Sequence, residues 1–98
     1  MPKPIIVSPD RKLQIIRSSM VYPSMGPKCV QGALKNVSTE IAEARLKVDF
    51  YNDAGELLGS SIGVFKDIQP GESRLFDIWG ERLPNMYEVE DYKIDFAK

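Results

Sequence analysis

CVQGALKNVSTEIAEARLKVDFYNDAG, residues 29–55, is the stretch whose reading decides the fold. Within it Ala44, Leu46, Val48 and Phe50 alternate with Arg45, Lys47, Asp49 and Tyr51, the period-2 pattern of a strand with one buried and one wet face. On a helix these apolar residues would scatter around the axis. Ahead of them Val30, Gly32 and Leu34 alternate with Gln31, Ala33 and Lys35, and the run ends at Asn36. Two half-buried strands need a second layer to cover them, so the expectation is a two-layer sandwich.

The flanks extend this reading. Asp53, Ala54 and Gly55 form a turn into a third strand over residues 56–65, whose two glycines and paired serines suit an edge position. Gln69-Pro70-Gly71-Glu72 has the chemistry of a type II turn, with proline presetting φ and glycine accepting a positive φ after it. A strand follows over residues 74–79, and Tyr92, Ile94 and Phe96 alternate with Lys93 and Asp95 in a closing strand. Residues 80–91 are the least strand-like and suit a short helical turn near 84–89. Toward the N-terminus, residues 12–22 are β-prone, with Leu13 and Ile15 on one face and Ile16 breaking the alternation, the mark of a bulge or a change of sheet near Arg17. Pro2, Pro4 and Pro9 make residues 1–10 an extended arm or edge strand, with regular pairing expected from Arg11. The predicted architecture is an all-β, antiparallel immunoglobulin-like or fibronectin-like sandwich of six or seven strands, one domain over residues 11–98. Its expected core is Val30, Leu34, Leu46, Val48, Phe50, Leu75 or Phe76, Tyr92, Ile94 and Phe96.

At these residues the chain resembles the FxLYD-type domains, a small immunoglobulin-like sandwich family found mostly in prokaryotes. The family's V-x-G-x-V-x-N strand resembles Val30, Gly32, Leu34 and Asn36, and its F-x-L-Y-D strand end resembles Val48, Phe50, Tyr51 and Asn52. Its Asp-x-x-Gly turn is similar to Asp53 with Gly55, one residue shorter, and its Pro-Gly-Glu turn to Pro70, Gly71 and Glu72. Val48 stands where the naming Phe would be, and Asn52 where the Asp would be. The likeness runs over residues 29–76 and the strand at 92–96. It implies a fold with no assigned chemistry, and an extracytoplasmic location if an export signal was removed.

Composition narrows the function classes. Ninety-eight residues make one domain with a modest core, and the lone Cys29 excludes an internal disulfide. A net charge of −1 argues against an electrostatic grip on nucleic acid or an anionic membrane. Residues 1–49 hold 8 basic and 4 acidic side chains and residues 50–98 hold 5 and 10, an asymmetry that interleaved strands would blend. The apolar run at residues 5–7 is too short for a signal-peptide core, and no run has the length of a membrane span.

The sequence has no histidine, which removes the usual base of serine and cysteine nucleophiles and a common zinc ligand. Glu88, Glu90 and Asp91 are the one acidic cluster that could serve as a carboxylate pair or hold calcium; a solvated loop explains them better, and the spacing lacks the D-x-D-x-D-G loop. Met20, Met25 and Cys29 are the only soft-ligand set, suited in type to Cu(I), although core packing accounts for them more simply. By alternation with Val30, Cys29 is expected on an outer face, where neighbouring Lys28 would favour the thiolate. Asn36-Val37-Ser38 fits a glycosylation sequon, yet its structural reading is a strand end whose Asn bonds nearby backbone. No catalytic, cofactor or metal residue is assigned.

What remains is an interaction surface. Tyr22, Tyr51, Trp79 and Tyr87 are candidates for an aromatic patch. The arm at residues 5–7 and the strand at 56–65 are candidates for pairing with another chain by strand addition. The expected function is therefore a non-catalytic interaction or accessory module with a protein partner, the alternative being a small-ligand or metal-ion binding domain.

Overall fold

The computed structural model describes residues 5–21, 28–80 and 88–97. In chain order these form β1 (Ile6–Val7), β2 (Leu13–Val21), β3 (Cys29–Asn36), β4 (Ala42–Tyr51), β5 (Leu57–Ile68), β6 (Ser73–Trp79) and β7 (Asp91–Phe96). Two antiparallel sheets result, a four-stranded one in the order β1-β2-β3-β6 and a three-stranded one in the order β5-β4-β7. β4, β6 and β7 bury alternate residues because only one face of each sheet meets the other, whereas the central strand β3 is covered on both faces at Cys29–Val30 and Ala33–Leu34. The larger sheet contributes Leu13, Ile15, Val30, Leu34, Phe76 and Ile78 to the core; the smaller contributes Leu46, Val48, Phe50, Tyr92 and Ile94, with Phe96 packed against its margin. Between Leu75 and Phe76 the choice falls on Phe76, because Leu75 is 71% exposed on the opposite face.

The broken alternation at Ile16 is a bulge: the β2–β3 register shifts between Ile15 and Arg17. The shift drives the Arg17 carbonyl toward β3 opposite Gly32. A Cβ on Gly32 would lie 2.2 Å from that oxygen and 2.6 Å from the Phe76 ring, so only glycine fits there. One layer is thus close-packed through a missing side chain.

Pairing starts earlier than Arg11. Ile6 and Val7 pair with Ile15 and Gln14, and Arg11 sits in the intervening turn with φ 61°. Ile6 packs against the core, and that burial holds the short edge strand in place. β5 also runs on to Ile68, which is fully buried, and an irregularity opposite Phe50 and Tyr51 turns Leu58 to the core while Leu57 is exposed. The predicted helical turn falls mostly on residues 81–87, outside the described residues.

Both glycine turns form as expected. The Glu72 amide donates to the Gln69 carbonyl at 2.9 Å with Gly71 at φ 78°, and the Gly55 amide donates to the Asn52 carbonyl at 3.1 Å with Gly55 at φ 80°. A Cβ at either position would meet nothing within 4 Å, so the backbone conformation alone makes glycine necessary. Gly55→Ala and Gly71→Ala are each expected to lower stability by about 1 kcal/mol or more in urea unfolding. Unchanged midpoints would contradict the left-handed geometry.

Candidate interaction edge

Two hydrogen bonds orient the backbone of the smaller sheet. Arg45 and Tyr51 accept from the Ala97 and Glu90 amides at 2.7 and 2.8 Å, so the odd-numbered residues of β4 face β7. Its even-numbered residues, Ala44, Leu46, Val48 and Phe50, therefore face β5, where they pair with Phe65, Gly63, Ser61 and Gly59. The intervening residues Ser60, Ile62 and Val64 aim their amides and carbonyls away from the sheet. Beyond them on the same side, the Lys66 carbonyl accepts from Arg74 Nη1 at 2.7 Å, as this alternation requires.

The edges differ in how they are protected. β1 is two residues long. β7 caps itself: Asp91 Oδ1 accepts from the Tyr92 amide and Asp95 Oδ1 from the Phe96 amide, each at 2.8 Å, on the side turned from β4. On β6 the residues facing outward are Leu75, Asp77 and Trp79, since Gly80 donates to Lys28 and Asn36 to Glu72 on the other side. The Trp79 carbonyl accepts from Ser61 Oγ at 3.0 Å. Among the described residues β5 has no such protection between Ser60 and Val64, and its sequence has no charged residue or proline from Leu57 to Phe65. Ile62 is 54% and Val64 48% exposed on the outer face beside this edge.

The outer edges of β5 and β6, joined at the Ser61–Trp79 bond, border one groove of about 460 Å³ whose described lining is Ser60, Ser61, Ile62, Gly63, Asp77, Ile78 and Trp79. At its far end Arg74 ties the sheets together through the Lys66 and Asp67 carbonyls and an ion pair to Glu72 at 3.0 Å. That ion pair and the Gln69 amide hold the Glu72 carboxyl below its ordinary range, the backbone bond being the larger cause.

The aromatic candidates do not converge. Tyr51 is half-buried on the outer face of the smaller sheet under the Lys93 ammonium, 5.4 Å from the ring centre. Trp79 belongs to β6 of the other sheet and is 44% exposed beside the groove. Tyr22 and Tyr87 lie outside the described residues. Met20 faces inward opposite Val30 whereas Cys29 lies on the other face, so these two do not form a soft-ligand pair; Met25 is outside the described residues.

Cys29 corrects one expectation. Its face is the outer one, between Val21 and Trp79, yet it is fully buried. Burial, and then the Asp77 charge, push its thiol up from the ordinary value. Lys28 does not favour a thiolate there; its ammonium turns to the Val89 carbonyl and lies 4.0 Å from Glu90. Glu88, Glu90 and Asp91 are exposed, and among the described residues no group of three or more acidic, Cys or His side chains could hold a metal ion. No helix among the described residues is long and apolar enough to cross a membrane. The sequon asparagine is fully buried, with Nδ2 donating to the Glu40 and Ile68 carbonyls at 2.7 and 2.9 Å.

The chain matches no protein-family model, no curated protein and no solved structure. Nothing in the sequence alone pointed to which side of β5 its backbone groups face. The Asp-Tyr-Lys-Ile-Asp spacing of residues 91–95 was the visible signal that β7, by contrast, is capped.

Proposed function

We propose that this chain is a non-catalytic interaction module of the FxLYD type that takes an extended segment of a protein partner along β5. The observation that carries the reading is the uncapped backbone of Ser60, Ile62 and Val64 beside two half-exposed apolar side chains, on a sandwich whose β7 edge is capped by its own aspartates. Strand addition draws its affinity from backbone bonds and asks little of side chains, which suits a surface with few convergent polar groups. The family reading is supported by the positions that carry the resemblance: Val30, Leu34 and Asn36 are fully buried, and Gly32 admits no side chain.

Ile62→Pro tests this proposal, because the Ile62 amide faces away from β4 and its loss spares the β4–β5 ladder. Val64→Lys places a charge on the same edge without altering the backbone. Proteins retained from cell extract by the immobilised chain are expected to be lost from both variants and kept by Leu75→Ser, whose side chain lies on the other sheet's outer face. Unchanged retention by folded Ile62→Pro and Val64→Lys would overturn the proposal.

A further inference from the structure

Resting on the strand-addition reading, we infer that the partner segment alternates apolar with basic residues. A strand added beside β5 would continue the smaller sheet, and its side chains would fall into two rows. The outer row lies next to Ile62 and Val64, which favour apolar neighbours. The inner row lies opposite Ser61 and Gly63 and points toward the groove that Asp77, Ile78 and Trp79 line on the β6 side.

Among the described residues that line the groove, Asp77 is the one that carries a charge. Among the described residues Asp77 has no ion-pair partner; the basic residues paired there are Lys12, Lys28, Lys47 and Arg74, all with other acids. Asp77 and Trp79 alternate with the buried Phe76 and Ile78, so both side chains leave β6 on the outer face of its sheet at the rim of the groove, within reach of a long side chain that passes over that rim. An exposed indole there can contact a cation. A carboxylate and an indole at one rim of the groove select lysine or arginine on the inner row and disfavour an acid. A second copy of this chain fits less well: antiparallel pairing of β5 with itself would bring Ser61, Gly63 and Phe65 to the inner row, with no cation to meet Asp77.

The experiment uses the full chain labelled for amide NMR and three short synthetic peptides in which valine alternates with lysine, threonine or glutamate. The lysine peptide is expected to shift the Ser60, Ile62 and Val64 amides and to bind about fivefold more tightly than the threonine peptide, the glutamate peptide binding weakest. Asp77→Asn should shrink the lysine preference while leaving the threonine peptide's affinity unchanged, a readout that general attraction to an acidic chain would not give. Equal binding of all three peptides at β5, or a lysine preference untouched by Asp77→Asn, overturns the inference and leaves strand addition standing. Failure of every peptide to move those amides overturns strand addition as well. Shifts of the same amides on concentrating the protein alone, with dimers in sedimentation, would assign the edge to a second copy and overturn the basic partner.

Discussion

Phe50→Ala is expected to destabilise the domain by about 3–5 kcal/mol, the largest effect of any single truncation. Phe50 is the largest fully buried side chain and sits on the central strand of the smaller sheet, between Tyr92 on β7 and Gly59 on β5. Gly59 has no side chain with which to collapse into the vacated space, so the cavity term should add fully to the lost transfer energy. A domain of this size has roughly 5–15 kcal/mol in total. The melting temperature should then fall by roughly 15–30 °C. Leu75→Ala removes a similar apolar mass from an exposed site and is expected to change stability by no more than about 0.5 kcal/mol. Comparable effects from the two would mean that the faces are reversed.

Asn36→Asp is the second large effect, although it alters no volume. The Asn36 amide is satisfied at all its positions: Nδ2 donates to Glu40 and Ile68, and Oδ1 accepts from the Ser38 amide at 2.9 Å and the Ser38 hydroxyl at 2.7 Å. Its backbone adds bonds to Glu72 at 3.0 Å and from Gly71 at 2.8 Å. The buried side chain thus joins the end of β3 to the following loop and to the end of β5, while the backbone of the same residue holds the turn into β6. Aspartate would set a carboxylate oxygen against two carbonyls, at an expected cost of about 3 kcal/mol or more at neutral pH. Repulsion and burial would raise its folded pKa above the unfolded value near 3.9. The unfolded state would then ionise first, so the penalty should be smallest below about pH 4 and grow as pH rises through the folded pKa. A pH-independent deficit would show that the site opens to solvent.

Much of this was legible in the residues because a two-sheet sandwich writes its faces into side-chain alternation. The strands around Leu46, Val48 and Phe50 and around Tyr92 and Ile94 bury the residues their spacing marks. The bulge was legible at Ile16 for the same reason, as a break in the period. Long-range placement was not: Cys29 alternates outward but is covered, and Lys28 turns to a carbonyl from a distant segment. Tyr51 and Trp79 read alike as aromatic surface residues, but they lie on different sheets. The edge assignment of β5 came from its glycines and serines, whereas the direction of its backbone groups depends on its pairing with β4, which side-chain chemistry does not encode.

Amide hydrogen exchange along β5 in dilute solution tests the open edge most directly. Ser61, Gly63 and Phe65, bonded to β4, should exchange slowly, while Ser60, Ile62 and Val64 should exchange fast, a strict alternation along one strand. Slow exchange at Ile62 and Val64 in the isolated chain would mean that the edge is already occupied, and would contradict the strand-accepting edge proposed for this protein.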